Sequence, residues 1–573
     1  MDNSQIAKHF TLLSKLVEIH GENSFKTKTY SIAAYKIDQL TVELQTLSPE
    51  KIFSINGIGD AIGKKIIELT ETGKMKILDD IISKTPDGIL EMMKIKGIGP
   101  KKISIIWKDM NIESVGELLY ACQENRLSLL KGFGKKTQDN FIESIEFYLK
   151  QQGNYLYAQV ENIAIELEQL FRKIFQCDTI KITGAFKKQD ETIEALEYVI
   201  PFSEKIILEK IEDDKALDLL EKTDEYLLYK YNDGIKIKLY ITDDMSIIKK
   251  SFELSSSSEF IESFYAICNA KKIETLSSEA DIFKAAGLQY IPPFLRDGKS
   301  ILALAAENAI PEIVQPRDIK GIIHCHSNWS DGSNTVEELA EACISSGYEY
   351  LVLSDHSKSA FYAQGLTEEK ISAQHQLVDE LNKKLSPFKI FKSIESDILN
   401  DGNLDYSNNI LSTFDLVIAS VHSNLKMSEE KAMMRLINAI ENPYTTILGH
   451  MTGRLLLSRK GYPVDYKKII DACAANKVVI EINAHPRRLD MRWQWLEYAL
   501  SKGIVVSIDP DSHSIAEFKN TRYGVLIAQK GMVTAKQNLS SFTLREMENF
   551  LKENKSYKKY YSKNYPTVTG NST

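Results

Sequence analysis

The chain has 573 residues, of which 43% are hydrophobic and 26% charged, and its formal net charge is −8. This length accommodates three or four domains with separate cores. The negative net charge argues against indiscriminate binding to polyanions. It is compatible with a local basic surface, because salt screens charges that are more than about 8–10 Å apart. No apolar run approaches the roughly 18 residues that span a bilayer, no signal sequence opens the chain, and the six dispersed cysteines form no CxxC pair, so we expect a cytoplasmic protein with reduced thiols.

The first predicted elements are helices joined by three short glycine turns. These turns read INGIGDAIGKK (55–65), IKGIGPKK (95–102) and LKGFGKK (130–136), and a lysine pair follows each of them. This is the helix-hairpin-helix pattern, in which the glycines allow a tight turn and the amides of the next helix bind a phosphate. One copy alone would indicate only a helix connector, but three copies with lysine pairs predict non-specific contact with a DNA backbone. The predicted DNA-binding residues are Gly57, Gly59, Lys64, Lys65, Gly97, Gly99, Lys101, Lys102, Gly132, Gly134, Lys135 and Lys136.

In the C-terminal half, apolar runs typical of buried strands are closely followed by possible metal ligands. The runs are GIIHCHS (321–327), EYLVLSDH (349–356), FKSIESD (391–397), LVIASVH (416–422), TTILGH (445–450) and IVVSIDPDSH (504–513). Helical stretches between the runs favour a parallel sheet or barrel, in which the strand C-termini gather on one face. The candidate ligands are His324, His326, Asp331, His356, Glu395, His422, His450, Asp511 and His513.

The distribution of histidines distinguishes this pattern from ordinary core residues. A single histidine at a strand end is more often packed in the core than bound to a metal. Here eight of the ten histidines lie between 324 and 513, and six of those follow the strand-end pattern. Imidazole and carboxylate donors without cysteine suit Zn²⁺, Mn²⁺ or Fe²⁺ and argue against a structural thiolate site. Cys325 should point away from the metals because side chains alternate along a strand.

The motifs HCHSNWSDG, LSDHS, IESDI, ASVHS, LGHMTGR and DPDSH resemble those of the PHP (polymerase and histidinol phosphatase) domain. The resemblance implies a distorted seven-stranded (β/α)7 barrel with three metal ions, which we expect to be Mn²⁺ or Zn²⁺. It assigns the ligands to three sites: His324, His326, Glu395 and Asp511; Glu395, His422 and His450; and Asp331, His356 and His513. Closely spaced divalent ions favour phosphoester hydrolysis, because they lower the pKa of a bound water and neutralise charge at phosphorus.

Three residues of this predicted site are assigned catalytic roles. Glu395 would bridge two cations, since one carboxylate can give an oxygen to each. Asp331 would hold the third ion, which would polarise a non-bridging or leaving oxygen. Arg454, four residues beyond His450, would clamp a non-bridging phosphate oxygen with its planar guanidinium. A salt bridge at the barrel rim is an equally good interpretation of Arg454.

The whole chain resembles bacterial family X DNA polymerases that carry a C-terminal PHP domain. The resemblance covers about residues 1–560 and includes FKTKTYSIAAYKI (25–37), SEADIFKAAGLQYIPPFLRDG (278–298) and EIVQPRDIKGIIHCHS (312–327). It implies a multidomain protein with an all-α helix-hairpin-helix, lyase-like region at 1–150, an α+β nucleotidyltransferase-like palm with fingers and thumb at 151–317, the barrel at 318–555 and a disordered tail at 556–573. Lys65 aligns with the Schiff-base lysine of the family's lyase domain, although a phosphate-binding hairpin lysine is the favoured interpretation.

The palm departs from the family pattern at its catalytic positions. Ala185 stands where the family has the serine of a Gly-Ser turn. Ala195 and Glu197 replace the first two catalytic aspartates, and Lys238 replaces the third. Two-metal nucleotidyl transfer needs these carboxylates to hold Mg²⁺, and a lysine places positive charge where the cations belong. We therefore predict that polymerase activity has been lost.

Together these patterns predict a monomeric DNA-repair enzyme that acts on DNA ends and gaps, mostly through backbone contacts. Its barrel would degrade DNA as a 3'-5' exonuclease or phosphodiesterase, a polarity implied by the resemblance alone. Three alternatives remain at this stage. The first is an active gap-filling polymerase in which Glu197 and carboxylates such as Asp190, Glu191 or Glu194 bind the metals. The others are a small-molecule phosphatase of the histidinol-phosphatase type and a non-catalytic DNA scaffold with structural metals.

Overall fold

The computed structural model describes residues 1–564 apart from 151, 213, 233 and 270–272, with only the backbone described at 150 and 560–564. The chain divides into two compact units. The first comprises Met1–Gln123 and Lys135–Tyr148. The second comprises Glu124–Gly134 and the chain from Leu149 onward.

The first unit is helical, and its core lies between amphipathic helices. Phe10 and Leu13 of α1 are fully buried, as is Ile37 of α2. The helices are α1 (Asn3–Ile19), α2 (Ser24–Asp38), α3 (Pro49–Phe53), α4 (Asp60–Thr72), α5 (Lys76–Ser83), α6 (Asp87–Met92), α7 (Pro100–Met110), α8 (Val115–Gln123) and α9 (Lys135–Lys150).

The three predicted hairpin turns share one backbone conformation. Gly57, Gly97 and Gly132 have φ angles of 89°, 92° and 93°, a left-handed region that residues with a side chain rarely adopt. In the first two hairpins the second glycine, Gly59 or Gly99, is the N-cap of the following helix and no side chain caps that helix. No side chain therefore caps the N-terminal amides of α4 and α7, and their contact with a phosphate stays a prediction.

The middle region of the second unit is a mixed α/β fold around a five-stranded sheet in the order β2-β4-β7-β6-β5. Strands β4 and β7 are parallel, and the other neighbours are antiparallel. Leu167 and Phe171 of α10 pack on Leu196 and Ile237 of the sheet in one buried core. The elements are β1 (Tyr155–Leu156), α10 (Tyr157–Phe175), β2 (Lys181–Thr183), α11 (Gly184–Lys187), β3 (Thr192–Ile193), β4 (Ala195–Ile200), α12 (Glu204–Ile211), β5 (Leu217–Lys222), β6 (Tyr226–Tyr231), β7 (Lys236–Ile241), α13 (Ile247–Leu254), α14 (Ser258–Ile267), α15 (Glu279–Ala285) and α16 (Ser300–Ala306).

The C-terminal region alternates strands and helices, and its strands form a seven-stranded parallel sheet in sequence order. The elements are β8 (Gly321–Cys325), α17 (Val336–Ser345), β9 (Tyr350–Leu353), α18 (Glu368–Leu385), β10 (Lys389–Asp397), α19 (Asn408–Leu411), β11 (Leu416–Ser420), α20 (Glu429–Glu441), β12 (Ile447–Leu448), α21 (Tyr466–Asn476), β13 (Val479–Asn483), α22 (Leu496–Ser501), β14 (Val506–Asp509), α23 (Thr521–Lys530) and α24 (Leu544–Asn564). Every residue of β8, β9, β11, β13 and β14 is buried, which explains why these strands are mostly apolar.

The sheet curls until its two ends meet. The amide of His326 donates to the carbonyl of Ser512 (2.8 Å), and the amide of Ser512 donates to the carbonyl of His324 (3.2 Å). The chain that follows the last strand thus pairs with the end of the first, so the seven strands form a nearly closed barrel. The predicted fold class is confirmed, with an all-α N-terminal region, a central α+β region and a distorted (β/α)7 barrel.

The predicted tail at 556–573 is wrong for its first half. Helix α24 continues to Asn564, while residues 565–573 lie outside the described part of the chain. The reason is packing, because Met547 and Leu551 are buried against the barrel core. Asn554 also donates to the carbonyl of Lys477 (2.7 Å), and the buried ammonium of Lys558 donates to the carbonyl of Thr445. The segment was predicted to be disordered because its composition is polar, but it forms the end of a helix that packs on the barrel.

Lys558 makes the stability of this region depend on pH. Burial lowers the pKa of its ammonium from 10.5 to about 7. Between pH 7 and pH 10.5 the unfolded chain keeps a proton on Lys558 that the folded chain has released. Lys558 therefore lowers the free energy of unfolding by its full amount below pH 7, and by progressively less as the pH rises to 10.5. We expect Lys558→Met to raise the unfolding free energy at pH 7 by roughly 1–3 kcal/mol, with the gain shrinking towards pH 10.

Denaturant unfolding followed by circular dichroism at pH 7, 8, 9 and 10 measures this gain. Lys552→Met, an exposed substitution on the same helix, is the matched control and should change little at any pH. A Lys558→Met protein that is less stable than the parent by the same amount at every pH would contradict the assignment.

Candidate metal centre

The barrel places all nine predicted ligands at one end. His324 and Glu395 lie within β8 and β10, and His326 and His356 follow the ends of β8 and β9. Asp331 is in the loop beyond β8. The others follow β11, β12 and β14, and they are His422, His450, Asp511 and His513. Eight of the nine residues are buried, and the side chain of His422 is 10% exposed.

Glu395 lies at the middle of the cluster. Its Oε1 atom is 3.0 Å from Nε2 of His450, 3.1 Å from Nε2 of His422 and 3.2 Å from Nε2 of His324. Its Oε2 atom is 2.9 Å from Nδ1 of His356 and 3.6 Å from Nε2 of His326. One carboxylate therefore faces five imidazole rings, which is the position expected of a bridging ligand.

Three groups of donor atoms are close enough to hold an ion, and within each group the atoms lie within 4.8 Å of one another. The groups are His324, His326, Glu395 and Asp511; His326, Asp331, His356 and His513; and His356, Glu395 and His422. The first has the membership of the first predicted site. The second group contains the predicted site of Asp331, His356 and His513 with His326 added. The third contains Glu395 and His422 of the remaining predicted site with His356 added, and His450 contacts Glu395 without belonging to the group. How the nine residues divide among three ions stays a prediction.

The donor set fits divalent cations. Several polar atoms of the cluster are buried and make no hydrogen bond, and each such atom costs about 1–3 kcal/mol in a closed protein core. These atoms are His324 Nε2, His326 Nδ1, Asp331 Oδ2, His356 Nδ1, Glu395 Oε2, His450 Nδ1 and His513 Nε2. So many unsatisfied donors and acceptors in one place indicate a site that binds cations, because metal coordination would satisfy them.

The electrostatics of the cluster favour ionised carboxylates. Burial by itself would raise the pKa of Glu395, but the nearby imidazoles of His422 and His324 outweigh it and hold the pKa well below its usual range. The pKa of His326 falls to about 4, first because the ring is buried and then because His356 and His513 lie beside it. Despite burial, the neighbouring carboxylates instead raise the pKa of His324, His356, His422 and His513, so these rings favour the protonated form without metal, and metal binding would release their protons.

Two carboxylates that the sequence analysis missed orient the ligands. Asp397 pairs with Nδ1 of His422, and Glu481 pairs with Nδ1 of His324. Glu481 also accepts a hydrogen bond from the amide of His450 (2.6 Å). Such partners fix the ring orientation of a ligating histidine and raise its basicity. The signals were present, since Asp397 is two residues beyond Glu395 on one strand and Glu481 interrupts the apolar run of β13.

The contact between Asp397 and His422 predicts a role in metal affinity. Asp397→Asn keeps the shape of the side chain but removes its charge, so we expect binding of Mn²⁺ or Zn²⁺ to weaken by about 10–100-fold. Isothermal titration of the metal-free protein measures the affinity. Asp415→Asn is the control, because Asp415 accepts from the amide of Lys392 and its carboxylate is in none of the candidate ligand groups. Equal losses in both variants would show that Asp397 does not support the site.

Arg454 is placed differently from the predicted phosphate clamp. It is buried, and its guanidinium makes two contacts with Glu191 of the middle region, at 2.6 and 3.3 Å. It also donates to the carbonyls of Arg488 (2.9 Å) and Leu489. Its donors are committed to the protein, so the clamp is not supported and the salt-bridge interpretation agrees with the structure. Cys325 packs in an apolar core with Leu351 and Leu353, away from the ligands as predicted.

The predicted DNA-binding lysines lie at the start of the hairpin helices. Lys64, Lys101, Lys135 and Lys136 are exposed, and Lys65 and Lys102 are partly exposed. Lys65 donates to the carbonyl of Ala61 (3.1 Å) and lies 5.8 Å from the ring of Tyr30. Their placement suits backbone contacts with DNA, and a lyase role of Lys65 stays a prediction.

The substituted palm positions include one partly buried carboxylate, that of Glu197. Glu197 of β4 pairs in register with Lys238 of β7, and its carboxylate packs directly against Gly184. Burial raises the pKa of Glu197, and the charges of Lys238 and Lys188 offset this only in part. The other two substituted residues, Ala185 and Ala195, offer no side-chain oxygen. Every candidate metal-binding group among the described residues lies in the barrel.

Comparison with known proteins agrees with this architecture. The family model of a helix-hairpin-helix domain matches residues 1–75, that of a SAM-like helix-hairpin-helix tandem matches 89–146, and that of the PHP domain matches 323–485. A DNA polymerase/3'-5' exonuclease PolX of Bacillus subtilis (strain 168) is 29% identical over 573 residues, which cover 97% of this chain and 100% of that protein.

Two further relatives match a shorter part of the chain. A probable phosphatase of Thermoanaerobacter sp. (strain X514) is 32% identical over 156 residues, which cover 24% of this chain and 61% of that protein. A probable phosphatase of Caldanaerobacter subterraneus subsp. tengcongensis is 29% identical over 165 residues, which cover 28% of this chain and 60% of that protein.

The barrel and its buried donor cluster define a metal-dependent phosphoesterase of the PHP type. Taken over its whole length, the chain resembles a bacterial DNA polymerase/3'-5' exonuclease of the PolX type, with helix-hairpin-helix domains followed by a PHP domain. Its hairpin domains imply binding to DNA. Across the described residues, no helix is both long and apolar enough to cross a membrane.

Proposed function

We propose that this protein is a DNA-repair nuclease whose PHP barrel removes nucleotides from the 3' side of DNA ends and gaps, and whose palm no longer synthesises DNA. The observation that carries the proposal is the contrast between the two sites. The barrel gathers the nine candidate ligands in one cluster with Glu395 at its middle, and eight of the nine are buried, whereas the substituted palm positions keep one carboxylate beside a lysine. The relative from Bacillus subtilis is named a polymerase and a 3'-5' exonuclease, and this contrast favours the second activity here.

The residues of the barrel have separable roles in phosphodiester hydrolysis. Bound divalent ions, Mn²⁺ or Zn²⁺, would supply Lewis acidity and lower the pKa of water. Glu395 holds the ligand rings of His324, His422 and His450 around one oxygen, at 3.0–3.2 Å. The nearly complete burial of these side chains excludes bulk water, which strengthens the electrostatic interactions with a phosphate.

The palm argument rests on how its acidic residues are used. Asp190 pairs with Lys188 (3.2 Å) and Lys530 (3.1 Å), and Glu191 pairs with Arg454 (2.6 Å). These carboxylates, which the gap-filling alternative would need as metal ligands, are already neutralised by cations. Glu194 is exposed to solvent, and Glu197, a partly buried carboxylate next to Lys238, does not by itself provide a two-metal site.

The nuclease proposal predicts a specific loss in His326→Ala. We expect metal-loaded protein to shorten a 5'-labelled gapped duplex into a ladder, and His326→Ala to cut at least about a hundredfold more slowly, because a lost ligand removes several kcal/mol of transition-state stabilisation. The assay is a time course on a denaturing gel. His375→Ala is the control, since His375 lies on α18 and packs against Phe414. Equal activity in all three proteins would contradict the proposal.

The palm interpretation predicts that no nucleotide is added to the primer. We expect no extension by His326→Ala protein with Mg²⁺ or Mn²⁺ and all four dNTPs, because the palm lacks carboxylates for two metals. The His326→Ala background is chosen so that degradation does not mask synthesis, and an active polymerase on the same template is the positive control. Extension by this variant would restore the gap-filling alternative.

A second candidate function is hydrolysis of small phosphomonoesters. The partial matches to probable phosphatases favour it. The hairpins argue against it, because a small substrate does not need a DNA-binding domain. Rates on a phosphomonoester and on the gapped duplex distinguish the two, with faster cleavage of the duplex expected at equal concentration.

A further inference from the structure

Arg126, Phe361 and Tyr362 lie beside the metal centre and belong to none of its candidate ligand groups. Arg126 belongs to Glu124–Gly134, a segment of the same compact unit as the barrel. Its guanidinium carbon lies 4.3 Å from the centre of the Tyr362 ring. Asn125, the preceding residue, donates to the hydroxyl of Ser333 (3.0 Å), two residues beyond the ligand Asp331. The segment therefore reaches the loop that carries a ligand.

Arg126 is only partly satisfied by the protein. Its one ion pair is with Glu124, at 3.4 Å, and its Nε atom is buried without a hydrogen-bond partner. Its side chain is 21% exposed, so part of the side chain is open to solvent although Nε is not. Arg454, by contrast, has both a carboxylate and two carbonyls as partners. Of these two arginines, Arg126 is the one with hydrogen-bonding capacity left for a phosphate.

An exposed aromatic ring adjoins the same tyrosine. Phe361 is 83% exposed, more than any other large apolar side chain in the described part of the chain. Its ring centre lies 6.1 Å from that of Tyr362, which in turn lies 6.4 Å from the ring of the ligand His356. Phe361 thus projects into solvent within two ring contacts of the metal centre.

The loop that carries Phe361 is held in place. The amide of Ser359 donates to Asp405 (2.6 Å), and the amide of Leu366 donates to the carbonyl of His356 (2.8 Å). An anchored loop that holds a phenylalanine in water gains no packing energy from that side chain. A flat ring in this position provides a surface on which a nucleobase can stack, and such stacking contributes about 1–3 kcal/mol per base.

We propose that Arg126, Tyr362 and Phe361 form a nucleotide-binding rim, in which Arg126 binds a backbone phosphate and Phe361 stacks on an unpaired terminal base. This inference rests on the nuclease function and specifies its substrate as a strand end with an exposed base. A small phosphate ester would use the metal centre alone, whereas the end of a nucleic-acid strand would use the rim as well.

The test compares two oligonucleotides that differ only at the 3' end, one with an ordinary nucleotide and one with a tetrahydrofuran abasic residue. With full-length, Mn²⁺-loaded protein, Phe361→Ala should lower kcat/KM on the ordinary end by about 5–100-fold and leave the abasic end within twofold. Phe361→Trp should retain the activity and Phe361→Leu should not, since only an aromatic face stacks. Arg126→Gln should lower both substrates equally, because they share the phosphate.

A binding measurement without metal supplies an independent readout. A 2-aminopurine base at the 3' end should change its fluorescence on binding to the parent protein, and this change should be absent in Phe361→Ala. Ile344→Ala removes another exposed apolar side chain, on the outer helix α17, and should behave as the parent in every assay.

The outcomes separate the rim from the nuclease function. If the parent cleaves both ends and Phe361→Ala does the same at equal rates, the rim is wrong and the nuclease stands. The rim is also wrong if Phe361→Ala slows both ends by the same factor, since that indicates a structural effect. If the parent cleaves no DNA but hydrolyses a phosphomonoester, the nuclease function itself fails and the rim fails with it.

Discussion

The buried carboxylate of Glu395 is the interaction on which the arrangement of the barrel depends. A carboxylate removed from water costs several kcal/mol unless opposite charge or metal surrounds it, and here five imidazole rings face it. Those rings come from the ends of four different strands, β8, β9, β11 and β12, so they converge only if the strands are parallel and the sheet curls. The hydrogen bonds between the ends of β8 and the chain after β14 complete that curl. Asp397 and Glu481 then hold two of the rings at fixed angles.

The middle region illustrates how acidic residues of a polymerase-like fold can serve another purpose. Lys530 of α23 is buried between Asp190 (3.1 Å) and Asp297 (2.6 Å), and Arg454 reaches Glu191. Partly desolvated pairs of this kind are costly to break on one side, because the remaining charge is left without a partner. These contacts join the palm to the barrel within one compact unit. They also tie up carboxylates that a polymerase site would need.

Prediction from sequence succeeded where a local pattern carried the information. Glycines at 57, 97 and 132 marked left-handed turns because only glycine adopts that conformation without strain. Apolar runs followed by histidine marked the barrel strands, because a buried strand needs apolar residues and the ligands lie at the strand ends. The prediction was wrong at 556–564, where a polar segment forms the end of α24, because its few apolar contacts and its buried Lys558 depend on a surface supplied by the barrel.

The sequence by itself determined the class of fold, the hairpins and the nine candidate ligands, since each depends on residue type and spacing over short stretches of chain. The loss of polymerase activity that we infer from Ala185, Ala195, Glu197 and Lys238 stays a prediction. Only the tertiary structure decided which groups meet. It places Glu395 at the middle of the cluster and pairs Asp397 and Glu481 with ligand rings. It also pairs Arg454 with Glu191 and places Arg126 beside Tyr362. The physical reason is that contacts between residues tens or hundreds of positions apart are set by the path of the backbone, and side-chain type alone does not specify a partner.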